Sequence, residues 1–210
     1  MKPLIYTGGL ADTNGYLVPL GENRFVAIDA PEGFFDFCES QSKRANEPAQ
    51  IEALLLTHGH WDHIWDAAAI ARTFSCPVFY HQDDEPLCAH PSRMRGFGLP
   101  VELEPVHATR FVDEGETLSY GSWSFELFHV PGHCPGSICF YERKAHVLFA
   151  GDVLFKGAVG RWDLPGGSRE TLISGIQTKL FTLPDETLVY PGHGEPTTIG
   201  EEKRSNPYAR

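Results

Sequence analysis

The stretch LLLTHGHWDHIWD, residues 54–66, is the most informative segment of this chain. It starts as an apolar run typical of a buried strand and then places His58, His60, Asp62 and His63 within six positions. Imidazole is a common ligand of zinc and iron in proteins, and a carboxylate adds a harder oxygen ligand. The pattern therefore predicts a metal site directly after a strand. His58 and His60 can face one ion while Asp62 and His63 serve a neighbouring one.

Three later segments end in the same way, with an apolar run, a glycine and a side chain that can bind metal. LFHVPGH ends at His133, VLFAGD at Asp152 and LVYPGH at His193. Because loops at one edge of an α/β domain build sites, we expect these side chains to join the first group. Five histidines and two aspartates are too many for one tetrahedral ion and suit two ions. Asp152 is the candidate to bridge them through its two carboxylate oxygens.

The remaining chain predicts strands with interspersed helices. Apolar runs bounded by Gly, Pro and Asn predict strands at residues 15–20, 24–30, 51–56, 76–81, 116–130 (a hairpin), 137–142, 145–152 and 187–194. Helices are predicted at residues 34–45, 65–74 and 168–183, the last with Ser168 as N-cap. Residues 90–105, with several Pro and Gly, are predicted to form a surface excursion. The pattern indicates one α/β layered domain over residues 1–210.

Composition and charge disfavour several classes of partner. The formal net charge is −11 and no run of Lys or Arg is present, so a nucleic-acid partner is not expected, because that affinity depends on clustered cations. No apolar run approaches the roughly 18 residues of a membrane span, and the first residues do not resemble a signal peptide. Five cysteines without CxxC spacing predict a reducing compartment rather than a disulfide framework. We therefore expect a cytoplasmic protein without a nucleic-acid or membrane partner.

The motifs together resemble one family across essentially the whole chain. H-x-H-x-D-H at residues 58–63, a distant histidine, GD at 151–152 and PGHG at 191–194 are similar to the metallo-β-lactamase superfamily. The resemblance implies an αββα four-layer sandwich that carries a two-metal site on one edge. It also implies zinc or iron, or else manganese, as the two divalent ions, and Asp29 as a supporting residue near them.

The resemblance implies a particular division of the seven side chains between the two ions. One ion would be bound by His58, His60 and His133, and the other by Asp62, His63 and His193, with Asp152 and a hydroxide bridging the two. Asp62 and Asp152 are then the expected catalytic residues, since both lie beside the hydroxide.

Two longer stretches narrow the resemblance to a subgroup. GDVLFKGAVGRWDLPGGS (151–168) and YPGHGEPTTIGEEKRSNPY (190–208) resemble the short bacterial glyoxalase II-like hydrolases. This implies a hydroxyacylglutathione hydrolase-like thioesterase that cleaves a thioester such as S-D-lactoylglutathione with the bridging hydroxide. Arg161 stands where relatives bind a glutathione carboxylate, whereas Asp163 replaces their aromatic phenol. The C-terminal helical domain of full-length glyoxalase II is not expected within this chain.

Two alternatives remain open at this point. A mononuclear non-haem iron persulfide dioxygenase of the same superfamily resembles the chain at GRWD (160–163) and would use His58, His133 and Asp152. A non-catalytic metal-binding scaffold is the alternative from another class, and the complete ligand set disfavours it. In the preferred reading the partner is a small-molecule thioester, with glutathione as one source of the thiol, and the protein is a monomer or a small homo-oligomer.

Overall fold

The structure, a computed structural model, describes residues 2–45 and 47–209; Met1, Asn46 and Arg210, which the predicted domain 1–210 includes, lie outside the described residues. Two six-stranded sheets and a two-stranded sheet are found in this part of the chain. The first sheet contains, in spatial order, β1 (Leu4–Gly8), β2 (Thr13–Gly21), β3 (Arg24–Ile28), β4 (Gln50–Leu55), β5 (Val78–Tyr80) and β6 (Arg110–Phe111). The second contains β7 (Thr117–Tyr120), β8 (Trp123–His129), β9 (Ile138–Glu142), β10 (Val147–Gly151), β13 (Leu188–Pro191) and β14 (Thr197–Thr198). The small sheet pairs β11 (Leu154–Phe155) with β12 (Ala158–Val159).

Both large sheets are mixed. In the first sheet β1, β2 and β3 are antiparallel, and β3 to β6 run parallel. In the second sheet β10 and β13 are parallel and the other pairs are antiparallel. The helices are α1 (Phe34–Ala45), α2 (Trp61–Ile64), α3 (Ala67–Phe74), α4 (Glu85–Cys88), α5 (Arg169–Thr178) and α6 (Ile199–Ser205), and 3-10 turns cover Gln82–Asp84, Pro91–Phe97 and Leu180–Thr182. Among the described residues, no helix is long and apolar enough to cross a membrane.

Three apolar clusters define four layers. Successive side chains of a strand point to opposite faces, so Leu54 packs toward α1 and α3 while Leu55 packs between the two sheets. In the second sheet Phe149 faces the space between the sheets, and Leu148 packs against α5 and α6. Each central strand is therefore buried on both faces, which explains why these strands read as unbroken apolar runs. The predicted αββα sandwich is confirmed.

Helix boundaries follow local chemistry, and two predicted boundaries are wrong. Residues 34–45 form α1 as predicted, but the helix predicted at 65–74 begins at Ala67. The Asp66 N–H donates to the Ala30 carbonyl oxygen (2.9 Å) and its carboxylate accepts from the Phe35 N–H (2.9 Å), so the chain turns at this residue instead of extending α2.

The helix predicted at 168–183 begins as expected and ends early. The Ser168 hydroxyl accepts from the Thr171 N–H, as an N-cap does. The α-helix ends at Thr178 and a 3-10 turn follows. Pro184 disfavours helical backbone at Leu183, which adopts an extended conformation (φ −69°, ψ 156°).

The four ligand-bearing segments all follow the C-terminal ends of strands. They come after β4, β8, β10 and β13, which end near one edge of the sandwich. The two sheets are joined at this edge, because the Asn14 N–H donates to the Gly192 carbonyl oxygen (2.7 Å) and Thr13 forms a bridge to His193. The fold therefore brings side chains that are up to 135 positions apart, from His58 to His193, to one place.

Candidate metal centre

All seven predicted ligands lie together at this edge. Their side chains form overlapping groups in which the ligand atoms are within 4.8 Å of one another. We call His58, His60 and His133 the imidazole cluster, and Asp62, His63, Asp152 and His193 the carboxylate cluster.

The imidazole cluster is closely packed and buried. His60 Nδ1 lies 2.9 Å from His133 Nε2, which in turn lies 3.2 Å from His58 Nε2. The three residues expose at most 5% of their surface. Three nitrogen atoms thus converge on one point from two loops that are 73 residues apart in sequence. This is the number of imidazole ligands that a tetrahedral zinc site uses when it keeps one position open.

The carboxylate cluster contains the ion-pair contacts of the site. His193 Nε2 lies 3.3 Å from an oxygen of Asp62 and 3.3 Å from an oxygen of Asp152. His63 Nε2 lies 3.2 Å from the other oxygen of Asp152. Asp152 also lies 3.5 Å from His133 Nε2, so its carboxylate contacts both clusters. That is the position a bridging ligand requires.

Two buried polar atoms show that the site fits metal ions. Within the described part of the chain, His63 Nε2 and Asp152 Oδ1 are shielded from solvent and make no hydrogen bond, although they lie 3.2 Å from each other. A buried polar atom without a partner is costly, and coordination to an ion removes that cost. The residues present therefore suit a pair of divalent ions.

Hydrogen bonds on the far side of each ring hold the histidines in position. His63 Nδ1 donates to Asp29 (2.8 Å), His133 Nδ1 to the Arg161 carbonyl oxygen (2.8 Å) and His193 Nδ1 to the Ala11 carbonyl oxygen (3.0 Å). The Nε2 atom of each ring is then unprotonated in the neutral form and free to bind an ion. Such outer partners orient ligands in many metal sites.

Asp29 connects this support to the first cluster. Its carboxylate accepts from the Thr57 N–H (2.7 Å) and from the Thr57 hydroxyl (2.8 Å), and that hydroxyl lies 3.0 Å from His58 Nδ1. Asp29 has a positive φ of 57°, an uncommon conformation for a residue other than glycine. The structure thus places Asp29 beside the site, where the family resemblance implied a supporting residue.

The two clusters differ in protonation. Burial, followed by the repulsion of neighbouring imidazoles, holds the pKa of His58 well below its usual value and lowers that of His60 to about 3. Burial also opposes a charge on His193, but the carboxylates of Asp152 and Asp62 outweigh it and raise the pKa of His193 to about 10. In the metal-free chain at neutral pH, His58 and His60 are neutral, whereas His193 carries a proton.

Asp84 is a supporting residue that the sequence analysis missed. It is fully buried, and its carboxylate accepts from the Gly59 N–H (2.8 Å) and the Gly136 N–H (2.7 Å). One carboxylate therefore connects the loop of His58 and His60 to the loop of His133. Asp84 comes soon after β5, so its position near a strand end was the available signal.

Cys134 follows His133 but points away from the clusters. Its thiol donates to Asp84 (3.0 Å), and burial, together with the charge of Asp84, holds the pKa of this thiol well above its usual value. Cys134 is therefore a partner of the Asp84 carboxylate, which connects the two loops, and is not one of the candidate metal ligands. Adjacent residues of an extended chain point in opposite directions, which explains why Cys134 does not join His133 in the cluster.

Two residues near the chain start were also missed. The Thr13 hydroxyl donates to Asp62 (2.7 Å), which orients that carboxylate within the carboxylate cluster. The Asn14 side-chain amide donates to the carbonyl oxygens of Pro191 (3.1 Å) and Gly194 (3.0 Å), on either side of His193. Both contacts join residues that are far apart in sequence, which is why no local motif signalled them.

A cavity of about 310 Å³ opens over the clusters. Besides five of the ligands, its wall includes Trp61, Phe97, Arg161 and Leu164. Phe97 belongs to the segment 90–105 that was predicted to form a surface excursion, and its ring centroid is 6.0 Å from that of His60. This segment therefore contributes to the wall of the site.

Arg161 lies at the cavity but is paired with a carboxylate of its own chain. Its guanidinium makes two hydrogen bonds of 2.8 Å to Asp163, and both side chains are mostly exposed. The bonds to Asp163 raise the pKa of Arg161. A substrate carboxylate would have to displace or share this partner.

Comparison with known proteins gives the same fold. Residues 33–193 match the family model described as Metallo-beta-lactamase superfamily. Hydroxyacylglutathione hydrolase GloC of Haemophilus influenzae is 44% identical over 160 residues, which cover 75% of this chain and 76% of that protein.

Two similar crystal structures cover nearly the whole molecule. BLEG-1 B3 metallo-beta-lactamase has a TM-score of 0.88 and 35% identity, with 99% of both chains covered. TTHA1623 in a di-iron-bound form has a TM-score of 0.85 and 35% identity, with 98% of this chain and 99% of that chain covered. The likeness extends over both sheets and all four layers.

Proposed function

The chain belongs to the metallo-β-lactamase superfamily, and on that premise we propose that it is a metal-dependent hydrolase of small thioesters, with S-D-lactoylglutathione as the first candidate substrate. The observation that carries this proposal is the gathering of seven ligands in two clusters with Asp152 between them. The 44% identity to a hydroxyacylglutathione hydrolase supports the thioester class.

The two clusters would each hold one divalent ion, zinc or iron or else manganese, and Asp152 would contact both. Bound in this way, such ions lower the pKa of water to near neutrality and polarise a carbonyl group. A related structure with 35% identity contains two irons, which supports a site for two ions.

The chain's own carboxylates supply orientation. Burial opposes a charge on Asp62, but the nearby His63 and the hydrogen bonds from His193 and Thr13 outweigh it and lower the pKa of Asp62 to about 2. The side chain is therefore ionised and accepts hydrogen bonds from Thr13 or from water. Because one Asp62 oxygen is fixed by Thr13, its other oxygen can orient a water molecule toward the cavity. Asp152, buried between the clusters, keeps their side chains at a fixed separation.

The cavity wall suits a thiolate leaving group. Among the described residues, its members other than the proposed ligands are Ala11, Trp61, Phe97, Gly98, Arg161 and Leu164. None of these side chains readily gives up a proton at neutral pH. A thiolate can depart without a proton donor, whereas an amine cannot, so the wall favours thioesters over amides.

Arg161 is the proposed contact for an anionic thiol such as glutathione. Solvent weakens exposed ion pairs such as Arg161–Asp163, so a substrate carboxylate can replace Asp163 at small cost. Arg161→Ala should raise KM for S-D-lactoylglutathione by up to about fivefold and leave kcat unchanged. Arg95→Ala, which removes another exposed arginine paired with Glu102, is the matched control and should leave KM unchanged.

A second candidate function, oxidation of a persulfide at one iron, uses residues that also lie together. His133 Nε2 is 3.2 Å from His58 Nε2 and 3.5 Å from Asp152, which is a two-histidine, one-carboxylate set. It leaves four residues without a role: His60, Asp62, His63 and His193. The hydrolase uses all seven residues.

The test is a three-way substrate assay on the purified protein with its metals counted. Hydrolysis of S-D-lactoylglutathione is expected to exceed hydrolysis of a chromogenic β-lactam and oxygen uptake with glutathione persulfide. Oxygen uptake at one iron per chain would establish the second candidate instead. If the β-lactam is cleaved faster than S-D-lactoylglutathione, the chain is a β-lactamase, the activity that the BLEG-1 relative is named for. No turnover of any of the three, with metal bound, would support the non-catalytic scaffold.

A further inference from the structure

A second group of metal-binding side chains lies outside the cavity of the proposed active site. His81 directly follows β5, His129 ends β8, and Asp113 follows β6 by two positions. Ligand atoms of these three residues lie within 4.8 Å of one another, although the residues come from three separate segments. His81 and Asp113 line a surface cavity of about 250 Å³, together with the carboxylates of Asp83 and Glu116.

The two imidazole rings are held against each other. Their centroids are 4.0 Å apart and their planes differ by 16°. His129 Nε2 donates to the Pro135 carbonyl oxygen (2.8 Å), which leaves Nδ1 unprotonated in the neutral ring. A hydrogen bond from one ring nitrogen to a carbonyl oxygen, with the other nitrogen free, is the usual state of a metal-binding histidine.

His81 is largely buried and is oriented by its own turn. The Asp83 N–H donates to His81 Nδ1 (3.2 Å), and the Asp83 carboxylate lies 3.7 Å from the same atom. His81 Nε2 faces the Asp113 carboxylate at 3.5 Å. When Nε2 binds an ion, the ring proton must move to Nδ1, so the Asp83 N–H loses this acceptor. The Asp83 carboxylate, 3.7 Å from Nδ1, can then accept the Nδ1 proton in a hydrogen bond after a small shift of its side chain.

Asp113 provides an ionised oxygen ligand. The Glu114 N–H donates to one carboxylate oxygen (2.6 Å), and this bond, with the nearby imidazoles, lowers the pKa of Asp113. The same oxygen, Oδ1, lies 3.5 Å from His81 Nε2, and its second lone pair can bind an ion. Among the described residues lining this cavity, the charged side chains are Asp83, Asp113 and Glu116, and all are acidic. Glu116 is paired with Arg110, which leaves an excess of negative charge that favours a cation.

We propose that His81, His129 and Asp113 form a peripheral site for one divalent transition-metal ion such as Zn²⁺. Two imidazole nitrogens and one carboxylate oxygen are a donor set that favours Zn²⁺ and similar borderline ions over Mg²⁺ or Ca²⁺. The remaining coordination positions face the open cavity and are filled by water. The stacked rings tilt on binding, so that their nitrogen lone pairs converge on the ion. This site shares no residue with the seven ligands, and it does not depend on the proposed hydrolase activity.

The test compares zinc uptake by the full chain and its variants. Holoprotein is dialysed to equilibrium against a series of buffered free Zn²⁺ concentrations, and zinc per chain is measured by mass spectrometry. Wild type is expected to bind one more zinc than Asp113→Asn, whose exposed substitution leaves both rings in place. His129→Gln should lose the same single ion. The difference between variants is measured independently of how many ions the active site holds or whether it hydrolyses a thioester.

The control is His107→Gln, which removes an exposed histidine that lies 3.3 Å from Glu85. It should bind as much zinc as wild type. The proposal is overturned if Asp113→Asn binds the same amount of zinc as wild type, or if His107→Gln loses an equal amount. Because His129 also bonds Pro135, its variant could fold poorly, and Asp113→Asn then decides the result alone.

Discussion

The imidazole cluster and the carboxylate cluster lie side by side, but they present different chemistry to an ion. The first offers three buried imidazoles, of which His58 and His60 are neutral at pH 7. The second combines two carboxylates with two histidines, and His193 exposes 27% of its side chain. H-x-H-x-D-H thus divides between a buried neutral environment and a more open charged one. One short motif can therefore supply two ions with unequal sites, provided that Asp152 joins them.

Removing the Asp152 carboxylate, which contacts both clusters, should have the largest effect on activity. Asp152→Asn replaces a carboxylate that contacts His63, His133 and His193. Changes to outer-shell partners typically cost ten- to hundredfold, so loss of a shared ligand should lower kcat by more than about a hundredfold. Metal per chain should fall as well, by mass spectrometry. Full activity with two ions bound would remove Asp152 from the bridging position.

The next variant should distinguish the two clusters, because it weakens ion binding by only one of them. Asp84→Asn places an amide against the N–H groups of Gly59 and Gly136, so one donor loses its acceptor. The imidazole cluster should then bind its ion about ten- to hundredfold more weakly. Chelator competition on cobalt-substituted protein measures each ion by its own absorption.

The matched variant acts on the other cluster. Thr13→Val removes the hydroxyl that donates to Asp62 and keeps the side-chain shape. It should weaken the ion of the carboxylate cluster and leave the other ion unchanged. Equal loss of both ions in both variants would mean that the clusters are one cooperative unit.

The two clusters should release different numbers of protons when they bind their ions. In the metal-free chain the pKa of His193 is raised to about 10, so at pH 7 the ring is protonated and must lose its proton to bind an ion. Affinity of the carboxylate cluster should therefore rise as pH increases from 7 toward 10. The pKa of His60 is lowered to about 3, so this ring releases no proton at pH 7. Calorimetry in buffers of different ionisation enthalpy counts the protons, and equal release for both ions would contradict the comparison.

The smallest effect concerns packing beside the imidazole cluster. A Cβ at Gly136 would lie 2.5 Å from Asp84 Cγ, whereas a Cβ at Gly96 would meet no atom within 4 Å. Overpacking of this kind costs about 1–3 kcal/mol, and each kcal/mol lowers Tm by about 2–4 °C in a domain of this size. Gly136→Ala should therefore lower the Tm of metal-free protein by several degrees, and Gly96→Ala should not. Equal Tm values would show that the Asp84 connection adapts easily.

The fold was largely predictable because its central strands are buried on both faces. Residues such as Leu54 and Leu55 face different cores, so their strand appears as an apolar run. Five short strands, β1, β6, β11, β12 and β14, were not predicted, since two to five residues carry little pattern of their own. The predicted end of the last helix, at residue 183, was wrong. Pro184 restricts Leu183 to extended backbone, and the prediction did not take this restriction into account.

The candidate ligands could be predicted from the sequence, whereas the residues that support them could not. The ligands stand in short motifs, so local spacing was enough to select them. Asp84 and Thr13 act through contacts with Gly136 and Asp62, which lie 52 and 49 positions away. Such contacts exist only once the loops have met. The pairing of Arg161 with Asp163 is local, yet the sequence analysis assigned Arg161 to the substrate without considering that pair.

A zinc titration of metal-stripped Asp113→Asn protein, which lacks the proposed peripheral site, followed by S-D-lactoylglutathione hydrolysis, tests the two-ion thioesterase most directly. If both clusters act together, activity stays low at one zinc per chain and reaches its maximum at two, with free thiol released as the thioester disappears. Full hydrolysis at one zinc per chain, or no hydrolysis when two ions are bound, would contradict the two-ion thioesterase.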